Sequence, residues 1–456
     1  MKPFTFRDAV SAVGGRYFGD EAALDAEITA VTSDSRQAGP GSLFIALKGG
    51  RADGHDFMAD CIQKGAAGCL CERAPKPGET PAILVDSTFR ATGALAAWHR
   101  SRFDIPVIGV TGSVGKTTTK EMLAAVLSQR FNTLKTQGNQ NNELGMPWTL
   151  LRLDDANEVA VVEMGISDFG EMRRLTAIAR PTAAVFSVIG DAHLEFLGDR
   201  RGVLRAKGEI FEGMDAGGLA VLNGDDPLLR DFQPNMRRVT YGLSAGCDVR
   251  GEDVKNLGEA GVELTIRHAR GAFRARIPAY GSHLASAALA AAAVGLEFGL
   301  TGEEIALGIA AYQTVGERAR IIHTGGYTVV SDCYNANPFS CRAAVDSLMK
   351  LEGNRRVCVL GDMLELGPTG PALHRTLGEY AAKRGVDLVI GCGPLSRNTA
   401  EGAKSAGAEA LYFPDKAALF EQLDGLIRPG DAVLVKASLG MGFKEVVEWL
   451  TQENRA

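Results

Sequence analysis

The chain has 456 residues with 49 lysines and arginines against 55 aspartates and glutamates, a formal net charge of −6. That length is enough for about three domains, each with its own core. The acidic balance argues against a general nucleic-acid or membrane-surface binder, although an anionic ligand held by local positive charge stays open. The eight cysteines show no C-x-x-C pair and no metal-ligand spacing, so reduced, buried thiols are expected rather than a disulfide framework. Met1 to Asp8 lacks the apolar core of a signal peptide, and a soluble, cytoplasmic protein is expected.

In chain order, the first stretch, to about Asp86, alternates short apolar runs with turns: Leu43-Phe44-Ile45-Ala46-Leu47, Gly68-Cys69-Leu70-Cys71 and Ala82-Ile83-Leu84-Val85. It reads as a small α/β domain without a nucleotide loop. A helical linker is expected from about Thr88 to Arg102. The apolar run Ile105 to Val110 then leads into Thr111-Gly112-Ser113-Val114-Gly115-Lys116-Thr117-Thr118-Thr119-Lys120 and the helical stretch Glu121 to Leu127. Strand, glycine-rich turn and helix start make a phosphate cradle, because backbone N–H groups and the helix N-terminus face the anion. Lys116 would lie against the terminal phosphates and the Thr117 hydroxyl would hold Mg²⁺. The strict P-loop pattern has glycine where this chain has Val110.

A polar loop, Thr136 to Gly145, separates this helix from the run Glu158 to Val162, which ends at Glu163-Met164-Gly165. Thr182 to Ile189 ends at Gly190-Asp191-Ala192-His193, and Gly218 to Leu222 ends at Asn223-Gly224. Continuous apolar runs suit strands buried on both faces of a parallel sheet. Ligands bind beyond the carboxyl ends of such strands, where Thr117, Glu163 and His193 all fall. Glu163 reads as a Mg²⁺ ligand in preference to a turn carboxylate. His193 stands between a structural histidine and a ligand. Lys207, in Arg205-Ala206-Lys207-Gly208-Glu209, reads locally as a solvated helix lysine. The alanine-rich stretch Ala285 to Leu300 reads as a buried helix. From about Gly316 a second doubly wound pattern begins, with strands ending at Ser331-Asp332, Gly361-Asp362, Gly391 and Lys436-Ala437-Ser438. Asp332 and Asp362 suit either strand-end caps or ribose and substrate contacts.

On these residues the chain resembles the Mur ligases, ATP-dependent amide-forming enzymes of peptidoglycan synthesis. The resemblance runs the whole length: Ser33-Asp34-Ser35-Arg36, Leu43 to Gly49, the Thr111 to Lys120 loop, Gly138-Asn139-Gln140-Asn141-Asn142, Glu163-Met164-Gly165, Ala192-His193-Leu194-Glu195 and Lys207-Gly208-Glu209-Ile210. Asp332-Cys333-Tyr334-Asn335-Ala336-Asn337-Pro338-Phe339-Ser340, followed by Leu360 to Gly367, separates it from the diamino-acid-adding relative, which carries Asp-Asn-Pro-Arg there. Folylpolyglutamate synthase shares the cradle but not this tract. Three departures stand out. Gly281-Ser282-His283-Leu284-Ala285-Ser286-Ala287 lacks both asparagines of the family's His-Asn-x-x-Asn, associated with the adenine end of ATP. Leu439 stands where arginine is common, and Glu317 intrudes on the usual Gly-Arg pair before Arg318.

The resemblance implies α/β architecture in three domains: a small N-terminal UDP-substrate-binding domain (1–86), a central P-loop-type parallel-sheet ATPase domain (87–315) and a C-terminal Rossmann-like domain (316–456). It implies phosphate contacts from Thr111 to Thr118 around Lys116, one Mg²⁺ on Thr117 and Glu163, and a second helped by Glu163 and His193. Lys207 would be carbamylated by CO₂ and become an anionic oxygen ligand, making Lys116, His193 and Lys207 the catalytic set. Arg318 and Asp332 would reach ATP from the third domain, which would close over the central one with Tyr334. Asn139, Asn141, Asn142, Asn335 and Asn337 would face the substrate side, and Ser33, Ser35, Arg36 and Lys48 the uridine nucleotide.

The implied reaction joins D-alanyl-D-alanine to UDP-N-acetylmuramoyl-tripeptide with release of ADP, through an acyl phosphate, in a monomer without nucleic-acid or stable membrane partners. A sister ligase adding a single amino acid, or a nucleotide-binding regulator that has lost ligation, are the alternatives.

Overall fold

Among the described residues three large sheets follow one another along the chain, beside a small antiparallel pair formed by Phe4–Thr5 and Glu27–Ile28. The computed structural model describes residues 1–50, 52–281, 284–316 and 318–452. Ser282, His283 and Glu317, which belong to two of the departures above, lie outside the described residues.

The first sheet has five strands in the spatial order Arg16–Phe18, Ala82–Leu84, Gly68–Cys71, Ser42–Ile45, Ala30–Thr32. Only the Arg16–Phe18 pairing is antiparallel. Cys61, Cys69 and Cys71 are fully buried in its core, where a reduced thiol acts as a small hydrophobe. Burial pushes the Cys71 thiol up to about 11, and all eight cysteines are free.

The linker forms the helix Thr88–Ser101, with Ser87 accepting from the Arg90 N–H as its cap. Its C-terminus is fixed by Arg100, whose buried guanidinium donates to the carbonyls of Ala179, Phe103 and Ile105. One turn of that helix is thereby anchored to the end of the helix Glu171–Ala179 and to the segment leading into the strand Val107–Thr111.

The second sheet has nine strands, with the Val107–Thr111 strand flanked by Val159–Glu163 and Ala183–Phe186. All three are parallel and fully buried, as their unbroken apolar runs predict. The helix Leu284–Glu297 is buried almost throughout and packs on the helix Lys116–Leu127 that follows the cradle. The edge strands Val249–Asn256, Val262–His268 and Gly271–Ile277 form an antiparallel extension that the search for continuous apolar runs passes over.

The third sheet has six strands, ordered Arg320–His323, Thr328–Asp332, Asp431–Lys436, Arg355–Gly361, Leu388–Cys392, Glu409–Phe413, parallel except for the first. Among the described residues no helix is long and apolar enough to cross a membrane.

Candidate active site

The cradle is built as a strand-to-helix turn. Gly112 has φ +138°, and a Cβ there would lie 2.1 Å from Ser187 Oγ, so the turn requires glycine. The turn is tied to the neighbouring strand end: the Ser113 N–H donates to the Val188 carbonyl (2.7 Å), Ser113 Oγ to that of Gly190 (3.1 Å) and Ser187 Oγ to that of Val114 (2.6 Å). Lys116 opens the helix and its Nζ donates to the Gly112 carbonyl at 2.8 Å. Burial lowers the Lys116 pKa, with Glu163 opposing and Arg318 adding to the shift.

Thr117 and Glu163 meet because the helix carrying Thr117 starts just past the strand Val107–Thr111, whose parallel neighbour ends at Glu163. Thr117 Oγ1 donates to Glu163 Oε2 at 2.9 Å, and Asn141 Nδ2 to Glu163 Oε1 at 2.8 Å. The Glu163 N–H donates to Thr136 Oγ1 (3.0 Å), whose carbonyl accepts from the fully buried Lys120 Nζ (2.8 Å). Both oxygens of this carboxylate are therefore oriented before any ligand binds.

The third domain closes the other wall. Arg318 donates to Thr117 Oγ1 at 2.9 Å and lies 3.9 Å over the Tyr334 ring, a cation–π contact. Asp332 and Lys436 stand side by side at the carboxyl ends of adjacent parallel strands. Lys436 Nζ, 2 % exposed, donates to Asp332 Oδ2 (2.6 Å) and the Asn335 carbonyl (2.8 Å). Burial works against the Lys436 charge, but Asp332 outweighs it and the pKa is raised. Asn335 Oδ1 accepts from the Ala336 N–H, and Asn337 caps the helix Pro338–Leu348 in a reciprocal capping box with Ser340.

These groups share one cavity of about 450 Å³ between the second and third sheets, a size suited to a nucleotide-sized ligand. It is lined by Ser113 to Thr118, Asn139, Asn141, Asn142, Glu163, His193, Arg318, Asp332, Asn335 and Asn337. Thr111 and Gly112 lie beneath, with Thr111 Oγ1 donating to the Met164 carbonyl. Asn142 Oδ1 accepts from the Gly145 N–H, which fixes the polar loop. His193, in the left-handed region at φ +53°, places Nδ1 2.6 Å from Glu365 Oε2 of the third domain.

Lys207 stands just behind the lining. It is fully buried and its Nζ has no hydrogen-bond partner, the reverse of the solvated lysine its local sequence reads as. Burial and the charge of Lys116 push its pKa far down, opposed by Glu171, so the site favours the neutral amine over the ammonium.

The Asp362 carboxylate accepts from the Ser396 N–H and Oγ and from the Leu395 N–H, which makes it a strand-end cap. Ser33, Ser35, Arg36 and Lys48 sit on the loops after the adjacent strands Ala30–Thr32 and Ser42–Ile45 of the first sheet, away from this cavity. There Arg36 forms a two-armed pair with Asp34 (2.8 Å each). Sequence reasoning passes over Thr136, Ser187 and Glu365, and takes Lys436 only as a strand end. Glu365 had one signal, its place in the Leu360 to Gly367 tract.

The donor set tests the metal expectation. Among the described residues no group of three or more His, Cys, Asp and Glu side chains is placed to hold a metal. A hydroxyl beside one carboxylate at a helix N-terminus, facing an anion cradle, nevertheless fits Mg²⁺, which keeps most of its water and phosphate ligands.

Three family models match the chain: Mur ligase family, catalytic domain, over residues 27–100; Mur ligase middle domain over 110–295; and Mur ligase, glutamate ligase domain over 317–439. The UDP-N-acetylmuramoyl-tripeptide–D-alanyl-D-alanine ligase of Escherichia coli (strain K12) is 39 % identical over 443 residues, 96 % of each chain. A crystal structure of MurF from Acinetobacter baumannii superposes with a TM-score of 0.91 at 31 % identity, covering 99 % of each chain. MurF ligase from Thermotoga maritima in complex with ADP gives 0.82 at 29 % identity, covering 93 % of this chain and 97 % of the other.

Proposed function

Because this chain belongs to the Mur ligase family, we propose that its cavity carries out the reaction for which those relatives are named. It is an ATP-dependent ligase that joins D-alanyl-D-alanine to UDP-N-acetylmuramoyl-tripeptide, giving the pentapeptide precursor of peptidoglycan. The observation that carries this reading is the single cavity in which Lys116, Thr117 and Glu163 face Arg318 and Asp332 of the third domain.

A carboxylate is a poor electrophile, because an amine attacking it has no acceptable leaving group. Transfer of the γ-phosphoryl group of ATP to a carboxylate oxygen forms the acyl C–O–P linkage and releases ADP. The amine of D-alanyl-D-alanine then attacks the acyl carbon, the C–O bond to phosphate breaks, and inorganic phosphate leaves with the bonding pair. Lys116 and the cradle N–H groups hold the phosphates in line and offset charge on the transferred oxygens. Arg318 reaches the same oxygens from the third domain, and Asp332, held by Lys436, presents its carboxylate to the nucleotide. Asn139, Asn141 and Asn142 orient the substrate side, as do Asn335 and Asn337 through the turn that they cap. The N-terminal loops carrying Ser33, Ser35, Arg36 and Lys48 take the uridine nucleotide.

Thr117 and Glu163 would hold one Mg²⁺, and Glu163 and His193 would assist a second; bound there, the ions would neutralise phosphate charge. Lys207 is suited to carbamylation. In its neutral form, the Nζ lone pair would attack CO₂: an N–C bond would form, one C=O pair would move to oxygen and the nitrogen would lose a proton to water. That converts an unpartnered buried amine into an anion facing Lys116 and His193. A closed site protects the acyl phosphate from water.

We divide the chain into 1–86, 87–315 and 316–456, in line with its three large sheets, and read it as a monomer placed in the cytoplasm, the compartment in keeping with eight free cysteines. ADP release from ATP and Mg²⁺ tests the activity. Release should require both the UDP-muramoyl tripeptide and D-alanyl-D-alanine. Release with single amino acids but not the dipeptide would move the chain to a sister activity, and ATP binding without turnover would make it a regulator. Retention of ¹³CO₂ by the native protein and not by Lys207→Ala tests the carbamate.

A further inference from the structure

Two loops from different domains meet at the edge of the cavity, and each holds a side-chain-bearing residue in the left-handed region. His193 has φ +53° and Glu365 φ +61°, a conformation that such residues adopt mainly where the surroundings impose it. Their side chains touch, Nδ1 of His193 lying 2.6 Å from Oε2 of Glu365. The two atoms are in contact although the Nδ1–H direction is not aligned on Oε2, and a small turn of the neutral ring brings that N–H onto the carboxylate.

Neither loop is loose. On the central side, Gly190 is tied to Ser113 of the cradle, and the His193 carbonyl accepts from the Phe196 and Leu197 N–H groups. On the third-domain side, the Met363 N–H donates to His374 Nε2 (2.9 Å) and the Leu364 N–H to Ser438 Oγ (3.0 Å). Asp362 just before them is pinned by Ser396. Two residues beyond Glu365, Gly367 (φ +56°) faces the Glu195 backbone; a Cβ there would lie 3.2 Å from Glu195 Cα. The loops therefore approach backbone to backbone, and the Glu365 carboxylate is delivered to His193 by a stiff turn.

We propose that Glu365 is a positioning residue that reaches across the domain boundary to hold the His193 imidazole, so that docking of the third domain completes the site. This rests on the ligase reading for what the site does, but the contact itself does not. A carboxylate at Nδ1 draws the ring proton to that nitrogen and leaves Nε2 as the free lone pair. This is the usual way an outer carboxylate selects the tautomer and direction of a ligating histidine. The central domain's own loop supplies no such group to Nδ1 in this arrangement. Without the third domain in place, His193 would lose its orientation although Lys116, Thr117 and Glu163 would keep theirs.

The test compares wild type, Glu365→Ala and Glu365→Gln as full-length proteins, with folding checked by thermal melting. The first readout needs no turnover: the long-range ¹H–¹⁵N spectrum of histidine-labelled protein, with the His193 signals assigned through His193→Gln. Wild type should show the Nδ1-protonated tautomer and Glu365→Ala the Nε2-protonated one. In kinetics, Glu365→Ala should lower kcat by about 10–100-fold with the KM for ATP changed by less than about threefold. Glu365→Gln, which still offers an oxygen to Nδ1, should recover part of that loss. Identical His193 resonances in wild type and Glu365→Ala, or a wild type already protonated at Nε2, would overturn the proposal. If wild type forms no ADP under any substrate pair, the ligase reading fails while the spectra still decide the contact.

Discussion

Glu163 accepts from Thr117 and Asn141 at once, and its backbone is fixed through Thr136, so its position is set before ligand arrives. Glu163→Gln keeps the shape but removes the charge that, on the proposed reading, would offset Mg²⁺. Steady-state kinetics should show kcat/KM reduced by about a hundredfold or more, with the melting temperature little changed. Lys436 behaves differently, because it is a buried cation whose partner is a carboxylate. Lys436→Met leaves Asp332 uncompensated, and such truncations cost about 3–5 kcal/mol. Chemical denaturation should register that loss, and a variant as stable as wild type would mean that Asp332 has water enough to stand alone.

Single elements show which physical signals sequence carries. The parallel strands around Val107–Thr111 were legible because strands buried on both faces must be apolar throughout. The linker helix, expected from about Thr88 to Arg102, is found as Thr88–Ser101. The antiparallel strands at Val249–Ile277 were not, because half their residues face water and the runs are broken by Arg250, Glu252 and Arg274. Thr117, Glu163 and His193 could be placed together by their strand-end positions alone. Lys207 could not, since its burial comes from elements far away in sequence, and only the resemblance singled it out. Glu365 and Lys436 act through partners in other segments, which local pattern does not record.

The linker helix also carries a pH dependence. His99 is fully buried and its Nε2 donates to the Leu153 carbonyl at 3.0 Å. Burial, partly opposed by that bond, lowers its pKa to about 4, from 6.5 for a free imidazole. Above pH 6.5 neither folded nor unfolded chain is protonated there. As pH falls from 6.5 to 4 the unfolded chain takes up the proton first, so stability is lost, by about 3 kcal/mol once pH is below 4. Denaturation between pH 4 and 7 should therefore show a shallower fall for His99→Gln than for wild type, and parallel curves would contradict the assignment.

At the scale of the whole molecule, the polar contacts between the second and third domains include, among the described residues, Arg318 with Thr117, His323 with Glu259 (2.9 Å), Tyr280 with Ser347 and His193 with Glu365, and the Tyr280 ring adds an apolar contact with the third domain's core. Contacts of this kind hold an arrangement without locking it, which suits a site that must admit three substrates and then exclude water. Small-angle scattering should show a smaller radius of gyration when a non-hydrolysable ATP analogue and the UDP-muramoyl tripeptide are both present. Superimposable curves would argue for a site that stays assembled throughout.

The central claim is that the cavity makes an acyl phosphate, and the fate of oxygen tests it most directly. The tripeptide carboxylate is labelled with ¹⁸O, turned over with ATP, Mg²⁺ and D-alanyl-D-alanine, and the inorganic phosphate is analysed by mass. The mechanism predicts one ¹⁸O in phosphate for each amide formed, because the carboxylate oxygen leaves with the phosphoryl group. Phosphate free of label, with amide formed at the normal rate, would contradict it.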